Sequence, residues 1–357
     1  MPTSIAFLAI AEAQQLYHWL PTALELARRD DVRISVLSPS ERILDLIRSR
    51  DPQGLLDPVR LRRPPGPDTL FRQPSRLATL LLNYRTITRF PVLVTTEITT
   101  AWLSRIPGFP SRTILIKHGA GDREGGYKKR HRYFDLTLVG GIKDRHRMIE
   151  RGLGTEQNIV VAGYPKFELD TEPRRFFPHD RPVLLYNPHF DAELSSWVRH
   201  GPAILAALEA LDEWNVIIAP HIKLARRVPP IVSQAPHVRV DMGSHHSIDM
   251  SYTTSANVYL GDVSSQVYEF VVRPRPCIFL NLDRRAWRDD PAFAHWQMGQ
   301  VIEDVADLPR ALAGAADLQP GFIDAQETAM RDSIDQSPIP ASRRQADLIL
   351  DFARADG

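Results

Sequence analysis

Short apolar runs alternate along this chain with stretches whose apolar positions recur every three to four residues. The runs at 5–10, 32–37, 92–94, 113–117 and 136–139 predict buried strands, being mostly apolar yet too short for buried helices. Between them, 16–29, 41–48, 75–88, 99–105 and 143–151 have the spacing of amphipathic helices. The pattern breaks into prolines and charges in GYPKFELDTEPRRFFPHDRP, residues 163–182, which reads as an interdomain linker. It then restarts, with strands expected at 183–186, 215–219, 238–240, 258–260 and 278–280 and helices at 197–211 and 340–355.

Strands alternating with helices predict parallel sheets covered on both faces. The expected fold is therefore α/β: two Rossmann-like, doubly wound parallel-sheet domains facing a central cleft, the GT-B architecture. The boundaries follow from the pattern: a first domain over 1–165, a linker over 166–181, a second domain over 182–339, and a C-terminal helix over 340–357 expected to pack across the domains. In such sheets ligands bind beyond the carboxyl ends of the strands.

Composition narrows the function classes. With 357 residues, 43% hydrophobic and 24% charged, the chain has the make-up of a folded protein of two ordinary domains. A net charge of +1 argues against a general nucleic-acid surface. The positive charge is clumped at Arg60, Arg62 and Arg63 and at Lys128, Lys129, Arg130 and Arg132, where phosphates or an anionic membrane surface are candidate partners and a solvated face is the plainer reading. The single cysteine, Cys277, excludes an internal disulfide and lies in an apolar run, as a buried thiol does. No basic segment precedes the first apolar run and no apolar stretch is long enough to span a bilayer, so the expectation is a cytoplasmic protein, peripheral at most to the inner face of the plasma membrane.

Chemistry-bearing residues fall directly after expected strands. His118 ends Ile114–Lys117 and opens a loop with Gly119, Gly121, Gly125 and Gly126 that lets backbone approach a ligand closely. Asn187, Pro188 and His189 follow the next such run, and Pro220, His221, Ile222 and Lys223 another. The fourth is GDVSSQVYEF, 261–270, where Asp262 is expected as an N-cap and Ser264 and Ser265 set hydroxyls beside the unpaired N–H groups of a helix start, a phosphate-binding arrangement. Each is also readable as an ordinary loop or cap. Metal-ligand spacings and a Gly-x-Ser-x-Gly elbow are absent.

In their order, IKHGAGDREGGYKK, LLYNPHF, IIAPHIK and NVYLGDVSSQVYEF resemble the CDP-glycerol glycerophosphotransferase family, GT-B transferases of teichoic-acid and capsule synthesis. The resemblance runs from the His118 strand to the helix after Ser265. It implies an N-terminal acceptor domain and a C-terminal nucleotide-donor domain. It also implies His118 as base on the acceptor hydroxyl, His221 with Ser264 and Ser265 at the donor diphosphate, and Asp262 as the acidic residue before them; by its charge, Lys223 beside His221 is a further candidate for those phosphates. Gly119, Asn187, His189, Lys128 and Glu269 are the further cleft candidates, Glu269 for ribose hydroxyls and Lys128 for an anionic acceptor. Gly261, Val263 and Ile222 depart from the family's threonine, tyrosine and proline, and the loop after His118 lacks its Thr-Pro.

The implied activity is metal-independent transfer of glycerol phosphate from a CDP-linked donor to a cell-surface glycan or lipid-linked acceptor. No cofactor is expected beyond the nucleotide-activated donor. A nucleotide-sugar glycosyltransferase, a sugar-nucleotide epimerase and a non-catalytic nucleotide- or glycan-binding protein are the competing readings of the same pattern.

Overall fold

The computed structural model describes residues 2–70, 72–122, 126–169 and 172–355, so Gly125 and residues 170 and 171 of the expected linker lie outside the described residues. The chain divides into two compact units: Met1–His118, Gly125–Leu169 and Asp332–Gly357 form unit 1, and Gly119–Glu124 with Asp170–Arg331 form unit 2.

Unit 1 carries seven strands: β1 (Thr3–Leu8), β2 (Val32–Ser38), β3 (Asp57–Arg60), β4 (Val92–Thr95), β5 (Arg112–Ile116), β6 (Leu136–Val139) and β7 (Ile159–Val161). They pair in the order β3-β2-β1-β4-β5-β6-β7, every neighbour parallel. The central strands are buried on both faces, which is why they read as unbroken apolar runs. One core joins Leu8, Leu37 and Leu93 of the sheet to Leu80 and Leu103 of the covering helical segments.

Unit 2 repeats the plan with β8 (Val183–Asn187), β9 (Asn215–Ile218), β10 (Val238–Val240), β11 (Val258–Gly261), β12 (Cys277–Leu280) and β13 (Gln300–Ile302). The order β10-β9-β8-β11-β12-β13 is again wholly parallel. Its core packs Leu184, Tyr186, Leu260 and Ile278 against Ile204 and Leu208 of the helix Ser196–Glu209. Cys277 is buried in β12, and burial pushes its thiol pKa up.

The strands that the pattern does not announce are β3, β7 and β13. Each closes a sheet edge and is half-buried; β3 and β13 carry polar positions, and the apolar run of β7 is only three residues long. The expected boundary at 340 also moves, because the chain joins unit 1 from residue 332. The Asp335 N–H donates to the Gly140 carbonyl at 2.8 Å. In the helix Ala341–Arg354, Gln345 accepts from the Thr22 hydroxyl at 2.9 Å and donates to the Gly163 carbonyl at 3.2 Å. The helix is thus part of unit 1 rather than a separate closing element. Among the described residues no helix is long and apolar enough to cross a membrane.

The return of the chain leaves no room at Gly141, where an added Cβ would lie 2.3 Å from the Ser333 carbonyl carbon. Gly141→Ala is expected to cost about 1–3 kcal/mol in urea denaturation. Gly126→Ala meets nothing within 4 Å and should stay within about 0.5 kcal/mol of wild type. Equal midpoints for the two variants would contradict this packing.

Candidate functional site

Each sheet reverses its strand order once, and the carboxyl edge at such a reversal is where α/β folds place ligands. In unit 2 the reversal lies between β8 and β11. The segments after these strands are Asn187-Pro188-His189 and Asp262–Ser265, and the neighbouring β9 delivers Pro220-His221.

Asp262 lies under this edge, 2% exposed. One carboxylate oxygen accepts from the backbone N–H groups of His189 at 2.8 Å and Val263 at 2.7 Å. The other accepts from Ser196, from its N–H at 2.8 Å and its hydroxyl at 2.9 Å. The Ser196 proton being used this way, Tyr186 donates its own hydroxyl to Ser196 at 2.8 Å. Burial pushes the Asp262 carboxyl pKa up, and the four hydrogen bonds oppose that rise. The expected N-cap is therefore corrected. The helix is short, Gln266–Phe270, and follows Ser265, whose side chain makes no cap bond. Asp262 turns inward because four interior donors converge on it, more than a helix start offers a single cap.

A second set of contacts seats the glycine-bearing segment. Asp122, 3% exposed, accepts from the Tyr268 hydroxyl at 2.6 Å and faces His295 Nδ1 at 3.3 Å. His295 Nε2 and the Trp296 indole N–H both donate to the Asp262 carbonyl, at 3.0 and 2.7 Å. Gly119 has φ +79°, and a Cβ on Gly121 would stand 2.9 Å from that of Ser265. These glycines allow close approach to Ser265, which is exposed, while Ser264 is buried and accepts from the Gln266 N–H at 3.4 Å.

The two candidate histidines of unit 2, His189 and His221, share one bonding pattern. His221 Nδ1 accepts from the Lys223 N–H at 3.1 Å, and His189 Nδ1 accepts from the Asp191 N–H at 3.1 Å. A neutral ring that accepts at Nδ1 carries its proton on Nε2, so both rings are N–H donors there. Their centres lie 5.9 Å apart, with Phe190 4.7 Å from His221 and the Lys223 ammonium 4.8 Å from the Phe190 ring centre. Asn187 is buried, its amide donating to the Ala219 carbonyl at 2.6 Å and accepting from Tyr259 at 3.3 Å. Glu269 is 6% exposed, so it is no surface helix residue.

Unit 1 reverses between β1 and β4. After these strands, Thr96 donates its hydroxyl to Gln15 at 2.8 Å. His118, exposed beyond β5, sets Nδ1 3.1 Å from the Thr96 carbonyl. A carbonyl only accepts, so Nδ1 carries the proton and the neutral ring has its lone pair on Nε2, opposite to His189 and His221. His18, buried 5.7 Å from the His118 ring, was hidden from sequence inspection inside an expected helix. Burial, then the charges of Lys166 and His118, hold its pKa well below the ordinary value. Lys128 is exposed before the turn Lys129–Tyr133, its N–H donating to His131 Nδ1 at 3.2 Å. Besides His18, the pattern gave no sign of Ser196, Asp122 or His295, single polar residues in loops or at helix starts. Among the described residues no three His, Cys, Asp or Glu side chains gather into a set able to hold a metal.

The sequence matches no protein-family model, and no curated protein matches it. Its structure does have solved likenesses. A variant of the wall teichoic acid polymerase TagF soaked with CDPG aligns over 100% of this chain and 90% of that one, with TM-score 0.66 and 13% identity. The fold is GT-B. UDP-N-acetylglucosamine 2-epimerase aligns over 100% of this chain and 98% of its own, with TM-score 0.62 and 12% identity. CalG4, the calicheamicin glycosyltransferase, aligns over 98% of each chain, with TM-score 0.53 and 16% identity. At these identities the likeness is one of GT-B fold.

Two expectations follow for this GT-B chain. Asp262→Ala strands four buried donors and should cost about 3 kcal/mol or more in urea denaturation, whereas wild-type stability would remove the carboxylate from its role. His18, with its folded pKa below the ordinary value near 6.5, resists a proton that the unfolded chain accepts. Its contribution is present above pH ~6.5 and lost as pH falls below it, at up to about 1.4 kcal/mol per pH unit. His18→Gln should flatten the pH dependence of thermal stability in that window, and an unchanged slope would refute the assignment.

Proposed function

We propose that this protein is a transferase acting on a nucleotide-activated donor, with CDP-linked glycerol phosphate as the donor and a hydroxyl of a glycan or lipid-linked molecule as the acceptor. The observation that carries the reading is the opposite bonding of His118 and His221. The Thr96 carbonyl leaves His118 a lone pair at Nε2, the requirement for a base, and the Lys223 N–H leaves His221 an N–H donor, the requirement for a phosphate ligand. The order of the four motifs supports the choice of donor, as does the likeness to a polymerase soaked with CDPG.

In the proposed step the acceptor hydroxyl gives its proton to His118 Nε2 as its oxygen attacks the phosphorus that bears glycerol. The bond from that phosphorus to the bridging oxygen breaks, and CMP departs with the electron pair. His221, Lys223 and the hydroxyls of Ser264 and Ser265 stabilise the charge that grows on the phosphates, with Lys128 assigned to an anionic acceptor and Glu269 to the donor's ribose. The protein adds no cofactor of its own to this scheme.

The second reading is a nucleotide-sugar glycosyltransferase, favoured by Gly261 and Val263 where the resembled family has threonine and tyrosine. Calorimetry with CDP, CMP, UDP and GDP separates the two: CDP and CMP should bind, and binding of UDP alone would sink the glycerol phosphate version. Donor turnover should persist in EDTA. His118→Ala should lower it by about 10²-fold or more at unchanged donor affinity. His221→Ala should weaken donor binding by about tenfold. Tight nucleotide binding without turnover on any acceptor would instead mark a binding protein.

A further inference from the structure

Behind His118 lies a buried carboxylate that the proposed step does not use. The Lys117 N–H donates to the Leu138 carbonyl at 2.8 Å, so the residue before His118 is still held in the sheet of unit 1. Its ammonium donates at 2.9 Å to one carboxylate oxygen of Asp144, in the first turn of the helix Ile142–Glu150. The other oxygen accepts from the Tyr127 hydroxyl. The side chains of Lys117 and Asp144 are only 8% and 3% exposed. A third contact closes the set, the Lys117 ammonium standing 5.0 Å from the Tyr127 ring centre. Burial, and then the Asp144 charge, push the Tyr127 pKa up, so the phenol keeps its proton and remains a donor.

Asp144 thus ties the residue just before His118 to the residue just after the glycine-bearing segment. That segment holds Gly119, at φ +79°, Gly121 and Gly126, and glycine restrains a chain less than any other residue. A buried ion pair adds little over apolar residues of equal size, and its best-attested use is to fix a register. Side chains of an extended chain point alternately to opposite sides. With Lys117 drawn to Asp144, His118 is turned the other way, where the Thr96 carbonyl meets its Nδ1 at 3.1 Å.

We infer that Asp144 is a positioning residue for His118: by holding Lys117 and Tyr127 it keeps the imidazole on the Thr96 carbonyl, with Nε2 as the accepting nitrogen. Asp144 itself touches no reacting group. Its part in turnover rests on the reading of His118 as base, whereas its hold on the ring is measurable without that reading.

NMR of the full chain labelled with 15N-histidine, with His118→Gln to assign the signal, reads the ring directly and needs no substrate. Well above the ordinary histidine pKa, wild type should show the Nδ1–H tautomer and Asp144→Asn a mixture of both. CMP release from CDP-glycerol, with water or added glycerol as acceptor, should fall about tenfold or more in kcat for Asp144→Asn at unchanged donor KM. In the His118→Ala background the same substitution should lower turnover no further, because it acts through a ring already removed. Tyr127→Phe removes one bond and keeps the carboxylate, so it should show both effects in smaller degree, and it decides the matter where Asp144→Asn does not fold. An unchanged tautomer in these variants, or an equal further loss in the His118→Ala background, would overturn the proposal. Wild-type turnover in His118→Ala would instead sink the base, and the spectra alone would then decide whether Asp144 holds the ring.

Discussion

The carboxyl edge of unit 2 is organised by one buried charge. Asp262 sits where the strand order reverses, and burying a carboxylate costs several kcal/mol unless donors surround it. Here the donors are the backbone after β8, the first turn of the helix Ser196–Glu209 and its own following residue. Each must keep its position for the charge to stay satisfied, so three separate elements are registered against one side chain. The Asp262 carbonyl extends the arrangement to His295 and Trp296, and through His295 to Asp122. The glycine-bearing segment beside Ser265 is thereby held to the same centre as the strands.

Unit 1 has the same reversal with a different arrangement. Its edge carries the Thr96 bond to Gln15, the His118 bond to the Thr96 carbonyl and the ion pairs of Arg76 with Glu97 and Glu12, and burial holds the pKa of His18 low. The contrast is chemical. A saturated buried carboxylate makes a rigid edge that offers N–H and hydroxyl donors, which suits a bound anion. An exposed imidazole bonded through Nδ1–H to a carbonyl has its acceptor nitrogen at Nε2, the tautomer a proton acceptor needs. Strand order alone would make the two edges equivalent, and side-chain bonding makes them different.

Much of this was legible in the sequence because buried parallel strands must be continuously apolar. β4, β8 and β11 stand close to their expected positions. Three edge strands, β3, β7 and β13, were missed, being short and half-exposed, whereas the edge strand β10 was read. The positions of His118, His189 and His221 after strands were readable, but not their tautomers, since these depend on the Thr96 carbonyl and the Asp191 and Lys223 amides. Asp262 was read as a cap because local spacing shows only local donors. Its partners, Ser196 and His189, are 66 and 73 residues away. His18 was unreadable for the same reason: one histidine in an amphipathic stretch looks like any other until burial is known.

A fold shared by a polymerase, an epimerase and a glycosyltransferase leaves the reaction open. The arrangement of charge constrains it further. If the edge after β11 receives a diphosphate, an outward aspartate there would repel it, and the inward turn of Asp262 removes that objection. Its negative charge is met by four donors, while Lys223 and the Nε2–H groups of His189 and His221 add donors along the same edge. Displacement at phosphorus moves negative charge from the acceptor oxygen to the leaving phosphate. It therefore calls for a proton acceptor at one end and fixed donors at the other. His118 is bonded at Nδ1 to a carbonyl and His189 and His221 at Nδ1 to amides, a division that the proposed group transfer would use and simple nucleotide storage would not.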